Sequence, residues 1–121
     1  MAFKTGITLV SNVPVGPKIL VTFDITGPAS YLRTTGMVLT AAQLGVGGFE
    51  FVDSSMDTTG AFQLEPQPNN GGFGNAVPTC IMRPIPVATA TTGGQAQTAG
   101  SEAAVGTNLS TFSFRIQAFC V

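Results

Sequence analysis

Few side chains in this chain could carry out chemistry, and the usual catalytic groups are missing. The sequence has no histidine, which removes the most common general base and metal ligand. Its six carboxylates are Asp24, Glu50, Asp53, Asp57, Glu65 and Glu102. Asp53 and Asp57 lie four residues apart in a Ser/Thr-rich stretch, but the repeating oxygen ligands and closing glutamate of a calcium loop are absent. We therefore expect an Asx-rich turn there and no metal site.

The remaining candidate groups are equally weak. Asp24 and Glu50 would form a carboxylate pair only if their strands were neighbours. The serines have no base to activate them. The stretch Gly45-Val46-Gly47-Gly48 lacks the lysine and the glycine spacing of a phosphate-binding loop. We expect no catalytic residue and no cofactor, and we interpret the protein as a non-enzyme.

The two cysteines do not have the spacing of a metal site. Cys120 continues the apolar alternation of the last predicted strand, which favours a buried free thiol. A disulfide between Cys80 and Cys120 is the alternative.

Composition indicates a single all-β domain with a surface that carries few charges. Charged residues make up 9% of the 121 residues, and sixteen threonines and fifteen glycines replace them; ordinary soluble domains have about 25% charged residues. A net charge of −1 with scattered Lys and Arg argues against a nucleic-acid partner and against anionic lipid. No apolar run is long enough for a membrane span, and no leader is recognisable, so we expect folding in the cytoplasm. Such a surface favours coverage by a partner protein.

The last thirteen residues, Leu109–Val121, give the clearest structural signal. From Phe112 to Cys120 every second residue is apolar, which predicts a strand with one buried face. Phe119 and Val121 make the C-terminal end apolar on the other face as well. We therefore predict subunit contacts at Phe119 and Val121, and we add Phe73, a lone aromatic in a loop.

Alternation and turn residues predict the other elements. The predicted strands are Gly6–Val10, Ile19–Ile25, Phe49–Val52, Ala61–Glu65 and Thr79–Arg83. We expect prolines within 12–17 to end the first strand, and Pro84 and Pro86 to mark an edge or a strand end. The third and fourth of these strands form a plausible hairpin.

Residues 40–45 carry the helical signal of the chain. Thr40 and Gln43 have the spacing of a capping box, Leu39 and Leu44 that of a hydrophobic staple, and Gly45 supplies a left-handed stop. We predict one short helical turn in a β-sandwich or a closed, jelly-roll-like β-barrel spanning 1–121. Exposed loops are predicted at 66–78 and 88–100, the latter either disordered or a hairpin turning at 92–95.

Four stretches give the sequence a resemblance to a known family. They are Val21-Thr22-Phe23-Asp24, then Leu39-Thr40-Ala41-Ala42-Gln43-Leu44-Gly45, then Phe49-Glu50-Phe51-Val52-Asp53, and finally the segment from Ala104 to Arg115, Ala-Val-Gly-Thr-Asn-Leu-Ser-Thr-Phe-Ser-Phe-Arg. In order and spacing they resemble the small head decoration proteins, or capsid cement proteins, of tailed bacteriophages. The similarity covers somewhat under half of the chain, and the segments 66–78 and 88–100 depart from it.

The resemblance implies a structural protein of the virion. It would bind the outer surface of a phage capsid, bridge major capsid protein subunits and act as a homo-oligomer, with a trimer favoured. It would be made in the host cytoplasm, with no nucleic acid and no membrane as partner. The alternatives are a tail-fibre or receptor-binding β module and a secreted carbohydrate-active or adhesive β-sandwich.

Overall fold

The computed structural model describes residues 7–68 and 76–121, which form nine β-strands and one 3₁₀ helix. In chain order these are β1 (Ile7–Val15), β2 (Lys18–Thr26), β3 (Met37–Thr40), the 3₁₀ helix (Ala41–Leu44), β4 (Phe49–Ser54), β5 (Phe62–Pro68), β6 (Thr79–Pro86), β7 (Ala90–Thr92), β8 (Gln95–Gln97) and β9 (Ser113–Cys120). The all-β class is confirmed. Within the described ranges, no helix has the length and apolar content needed to cross a membrane.

The strands form two larger antiparallel sheets and one small one. The four-stranded sheet has the order β1-β2-β9-β4, the three-stranded sheet β3-β6-β5, and β7 pairs with β8. The two larger sheets pack around one apolar core, and among residues 7–68 and 76–121 each sheet has two edge strands with no further strand added to them. The architecture is therefore a sandwich, and the alternative of a closed barrel is wrong.

Strand β9 lies between β2 and β4 in the four-stranded sheet and has one buried face, as its alternation predicted. Its inward residues Phe114, Ile116, Ala118 and Cys120 are fully buried. The strand begins at Ser113, later than the predicted Leu109. Leu109 instead pairs by backbone hydrogen bonds with Gly27 and Pro28, where a Cβ on Gly27 would lie 2.4 Å from the Leu109 Cβ. Glycine is thus required at that approach.

Strand β1 corrects the expectation that prolines end the first strand near Val10. It continues through Pro14 to Val15 and closes a two-residue turn with Lys18. Gly16 has φ 61°, and a proline follows it, which fits a type II′ hairpin turn. Because Val15 and Lys18 are the closing pair, the nitrogen of Pro14 faces the open edge, where no ladder hydrogen bond is lost. Leu9 in this strand is 58% exposed.

Strands β4 and β5 do not form the predicted hairpin. β4 pairs with β9, whereas β5 pairs with β6 in the other sheet. The connecting turn crosses between the sheets, and the buried carboxylate of Asp57 organises it by accepting the amides of Thr59 (2.8 Å) and Phe62 (2.7 Å). The predicted Asx-rich turn is confirmed.

Strand β6 is central in its sheet, so of the two alternatives predicted from Pro84 and Pro86 the edge position is wrong, whereas Pro86 is the last residue of the strand. β3 pairs only with Thr79–Met82, and the prolines lie beyond its end. Their carbonyls accept the amides of Ala103 (2.9 Å) and Gly100 (3.1 Å), on the side away from β5. Since the N–H and C=O of one residue point the same way in an antiparallel strand, these prolines cost no hydrogen bond with β5.

The short helical turn is confirmed in detail. The Thr40 hydroxyl accepts the Gln43 amide at 3.3 Å, the Gln43 side chain accepts the Thr40 amide at 2.9 Å, and Gly45 is left-handed with φ 71°. Of the two alternatives for 88–100, the structure has the hairpin. Its turn, Gly93-Gly94, has φ 62° and 79°, as a type I′ turn requires.

The loop predicted at 66–78 is shorter than expected. Residues 66–68 belong to β5, and Val77 is buried and bridged to Phe49. Phe73 lies outside the described residues.

Candidate functional site

Strand register places four apolar side chains in one line across the outer face of the four-stranded sheet. Val13 lies opposite Leu20, Leu20 opposite Phe119, and Phe119 opposite Phe51. This line, which we call the apolar row, crosses β1, β2, β9 and β4. Cross-strand neighbours on one face have Cβ atoms about 5 Å apart, so the four side chains form a continuous strip.

The apolar row is accessible to a partner. Phe51 is 54% and Val13 48% exposed, and Leu20 and Phe119 are half-buried against their neighbours. Val15 and Val121 are exposed at the same end of the sheet. The three-stranded sheet packs on the opposite face, which holds the core. The outer face of this β-sheet therefore carries a strip of exposed apolar side chains, a feature that is common in protein contact surfaces.

Beyond the apolar row the outer face becomes polar. The next line of register partners consists of Ser11, Thr22, Gln117 and Asp53. The one after it contains Asp24 and Arg115, whose forked ion pair has N–O distances of 2.8 and 2.9 Å. The hydrogen bond from Arg115 lowers the pKa of Asp24 and raises that of Arg115.

Most charges beside the apolar row are paired within the chain. Lys18 lies 2.5 Å from Glu50, and both side chains are partly exposed. Asp24 and Glu50 are not the carboxylate pair considered from the sequence, because β9 separates β2 from β4 and each carboxylate pairs with a cation. A partner covering this face thus meets these two ion pairs, which cost less to desolvate than isolated charges, together with the Asp53 carboxylate, which accepts the Ser54 amide.

The predicted contact residues fall partly on this surface. Phe119 lies in the apolar row, and Val121 follows in the same phase at its end. Sequence reasoning missed Val13 and Val15 because it ended β1 too early. It also missed Leu20, although a large apolar residue in the polar phase of β2 is a signal that could have found it. Phe51 lies in the same sequence phase as the buried Phe49, and it faces outward because of the register shift between Phe49 and Phe51, which the sequence does not show.

The polar groups of the outer face form a depression with local hydrogen bonds. A shallow depression of about 310 Å³ is lined by Asp53, Ser54, Ser55, Arg115 and Gln117. The Ser54 hydroxyl donates to the Ser55 carbonyl and the Ser55 hydroxyl to the Met56 carbonyl, each in a local bond. Within 7–68 and 76–121 no three potential metal-ligating side chains come together.

A second polar cluster, also missed from the sequence, lies where the loops close over β6. The buried Tyr31 donates its hydroxyl to Glu102, which also pairs with Arg83 at 2.8 Å. Arg33 donates to the carbonyls of Ala103 (2.9 Å) and Glu102 (2.8 Å). Burial and the Glu102 carboxylate raise the pKa of Tyr31. Each member has a partner within the chain, so the cluster is a structural clamp.

Both cysteines are free and buried, as the sequence favoured. Burial raises the pKa of each thiol to about 11. Thiolates are the reactive form of cysteine, so neither residue is suited to nucleophilic chemistry in the folded protein.

Comparisons with protein-family models, with curated proteins and with solved structures found no match to this chain.

Proposed function

We propose that this chain is a structural virion protein that binds the outer surface of a phage capsid and stabilises it by bridging major capsid protein subunits. The observation that carries the proposal is the apolar row on the outer face of a rigid sandwich. The four sequence stretches that resemble capsid cement proteins support it, and two of them, Val21–Asp24 and Phe49–Asp53, lie on strands of this same sheet.

The binding free energy that the apolar row can contribute fits a protein that acts in many copies. Fully burying an apolar side chain contributes about 1.5–3 kcal/mol. Since its four side chains are already about half-buried, covering the row would contribute roughly 3–6 kcal/mol, comparable with the low end of the cost of association. One such contact is weak, but contacts repeated by capsid symmetry add up through avidity. A homo-oligomer, with a trimer favoured, would multiply the contacts again.

Fractionation of purified phage tests the proposal. The protein is expected with the heads, in a fixed ratio of many copies to the major capsid protein. Recovery only with tails would favour the tail-fibre or receptor-binding module instead, and recovery only from the infected-cell lysate would remove the virion function altogether.

The role of the apolar row is tested by Phe119→Ser. Phe119 is half-exposed, so the variant is expected to fold, and loss of about 1–2 kcal/mol per contact weakens capsid binding roughly 5- to 30-fold. Val105→Ser is the matched control, because Val105 is 54% exposed in a turn outside this sheet. Equal capsid binding and equal sedimentation of both variants would exclude the apolar row as the contact surface.

A further inference from the structure

We propose that the open edge of β4, with the groove between β4 and β5, binds an extended peptide segment of a partner protein that carries lysine or arginine. This inference does not depend on the capsid function. The edge lies beside the outer face and does not include the apolar row.

Hydrogen bonding shows which backbone groups β4 presents on its open side. The Ser55 amide donates to the Arg115 carbonyl at 2.9 Å, so odd-numbered residues at this end of β4 face β9. Val52 and Ser54 therefore turn their N–H and C=O groups to the open side. The Ser54 amide is taken by the Asp53 carboxylate at 2.8 Å, whereas the N–H and C=O of Val52 have no hydrogen-bond partner within the described ranges.

The open stretch has defined ends. At one end Phe49 and Val77 exchange two backbone hydrogen bonds of 2.7 and 2.8 Å, and at the other Met56 and Gln63 form a bridge. Between them, residues 52–55 would span roughly 13 Å in extended form. A short extended segment fits there and could pair with the Val52 backbone as an added strand.

The other edges of the two larger sheets are protected against strand addition. β1 carries Pro14 on its open side, and β5 carries Pro66 and Pro68. β3 is only four residues long, and the Gln43 side chain takes the Thr40 amide at its end. Proline and shortness are the usual protections of an edge strand. The open stretch of β4 has no proline.

The groove beside this edge indicates the chemistry of the occupant. It has a volume of about 320 Å³, and Leu64, Pro66 and Ile85 form its apolar part. Asp53 and Glu65 also line it, and neither carboxylate forms an ion pair within 7–68 and 76–121. Since an extended segment alternates its side chains, one with apolar residues and Lys or Arg would complement both the groove and its charge.

Three synthetic peptides test the proposal against the whole chain by NMR. The first has the sequence Thr-Lys-Val-Lys-Val-Thr with blocked ends, the second has Glu for Lys, and the third has Pro for Val. The lysine peptide is expected to slow hydrogen exchange of the Val52 amide and to bind about 10-fold more tightly than the glutamate peptide. The proline peptide is expected to leave the Val52 exchange unchanged, because it cannot form the ladder.

Two variants distinguish peptide binding at this groove from a general effect of the protein's net charge. Asp53→Asn combined with Glu65→Gln is expected to reduce the preference for the lysine peptide about fivefold or more. Asp24→Asn is the matched control, because Asp24 lies on β2 and pairs with Arg115 away from the groove, and its preference should match that of the unaltered chain. Unchanged exchange at Val52 with the lysine peptide, or equal binding of the lysine and glutamate peptides, would overturn the proposal.

Discussion

The side-chain amide of Gln97 donates a 2.8 Å hydrogen bond to the hydroxyl of Thr107, and both residues are buried. The same amide donates to the Thr92 carbonyl at 3.1 Å, and the Gln97 carbonyl accepts the Ala104 amide at 2.9 Å. One glutamine thus fastens the β7–β8 hairpin to the segment that leads into β9. This anchoring explains how a run of Ala, Thr and Gly with little apolar surface is held in one conformation.

Replacing Gln97 with alanine is expected to destabilise the protein by about 2–3 kcal/mol, because the change leaves buried partners without hydrogen bonds. Urea unfolding measures the loss. The matched control is Gln95→Ala at an exposed position of the same strand, for which we expect a change within about 0.5 kcal/mol. Equal stability of the two variants would show that the Gln97 bonds contribute nothing to the fold.

Tyr31→Phe removes one hydroxyl from the clamp with Glu102 and keeps the ring packed. We expect a loss of about 1–2 kcal/mol near neutral pH. Because the folded pKa of Tyr31 is raised above its ordinary value of 10.0, its contribution is complete below that pH and declines as the pH rises further. The stability of the unaltered protein should therefore fall above about pH 10, and that of the variant should fall less.

Tyr31 is the only tyrosine in the chain, so phenolate absorbance reports on this residue alone. The signal should appear only when the protein unfolds in alkali. A phenolate signal from the folded protein at pH 10 would contradict the clamp.

Asp24→Asn tests the ion pair on the outer face. The Arg115 hydrogen bond lowers the folded pKa of Asp24 below 3.8, so the pair stabilises the fold above that pH and the contribution is lost as the pH falls through the folded pKa. Both groups are substantially exposed, and we expect a small effect that decreases with added salt. Thermal unfolding across pH 7 to pH 2 should show a difference between variant and parent that is largest at pH 7 and shrinks as the pH falls below 3.8.

Cys80 and Cys120 are expected to resist thiol reagents in the native state. A pKa of about 11 leaves roughly 0.1% thiolate at pH 8, and burial limits access further. A colorimetric thiol assay should detect no rapid reaction before unfolding and two thiols per chain in denaturant. Fast labelling of either cysteine without denaturant would show that its surroundings open readily.

The sequence alone determined the elements whose signals are local. The alternation of β9 predicted its buried face, because side chains of a strand point alternately to its two sides. The spacing of Thr40, Gln43 and Gly45 predicted the capped helical turn, since all its hydrogen bonds join residues within a few positions. Gly93-Gly94 indicated a hairpin turn as one of two alternatives for 88–100, and the structure decided between it and disorder.

The tertiary structure decided which strands are neighbours, and with it the candidate site. A strand tolerates a proline when the proline nitrogen faces away from the neighbouring strand. Whether the prolines of β1 and β6 interrupt these strands could therefore be decided only from the strand pairing. The alignment of Leu20 with Phe119 depends on a register between strands about a hundred positions apart in the chain, which no local pattern specifies. The apolar row and the open edge of β4 exist only once β9 lies between β2 and β4, because that packing alone fixes which side chains and backbone groups remain accessible.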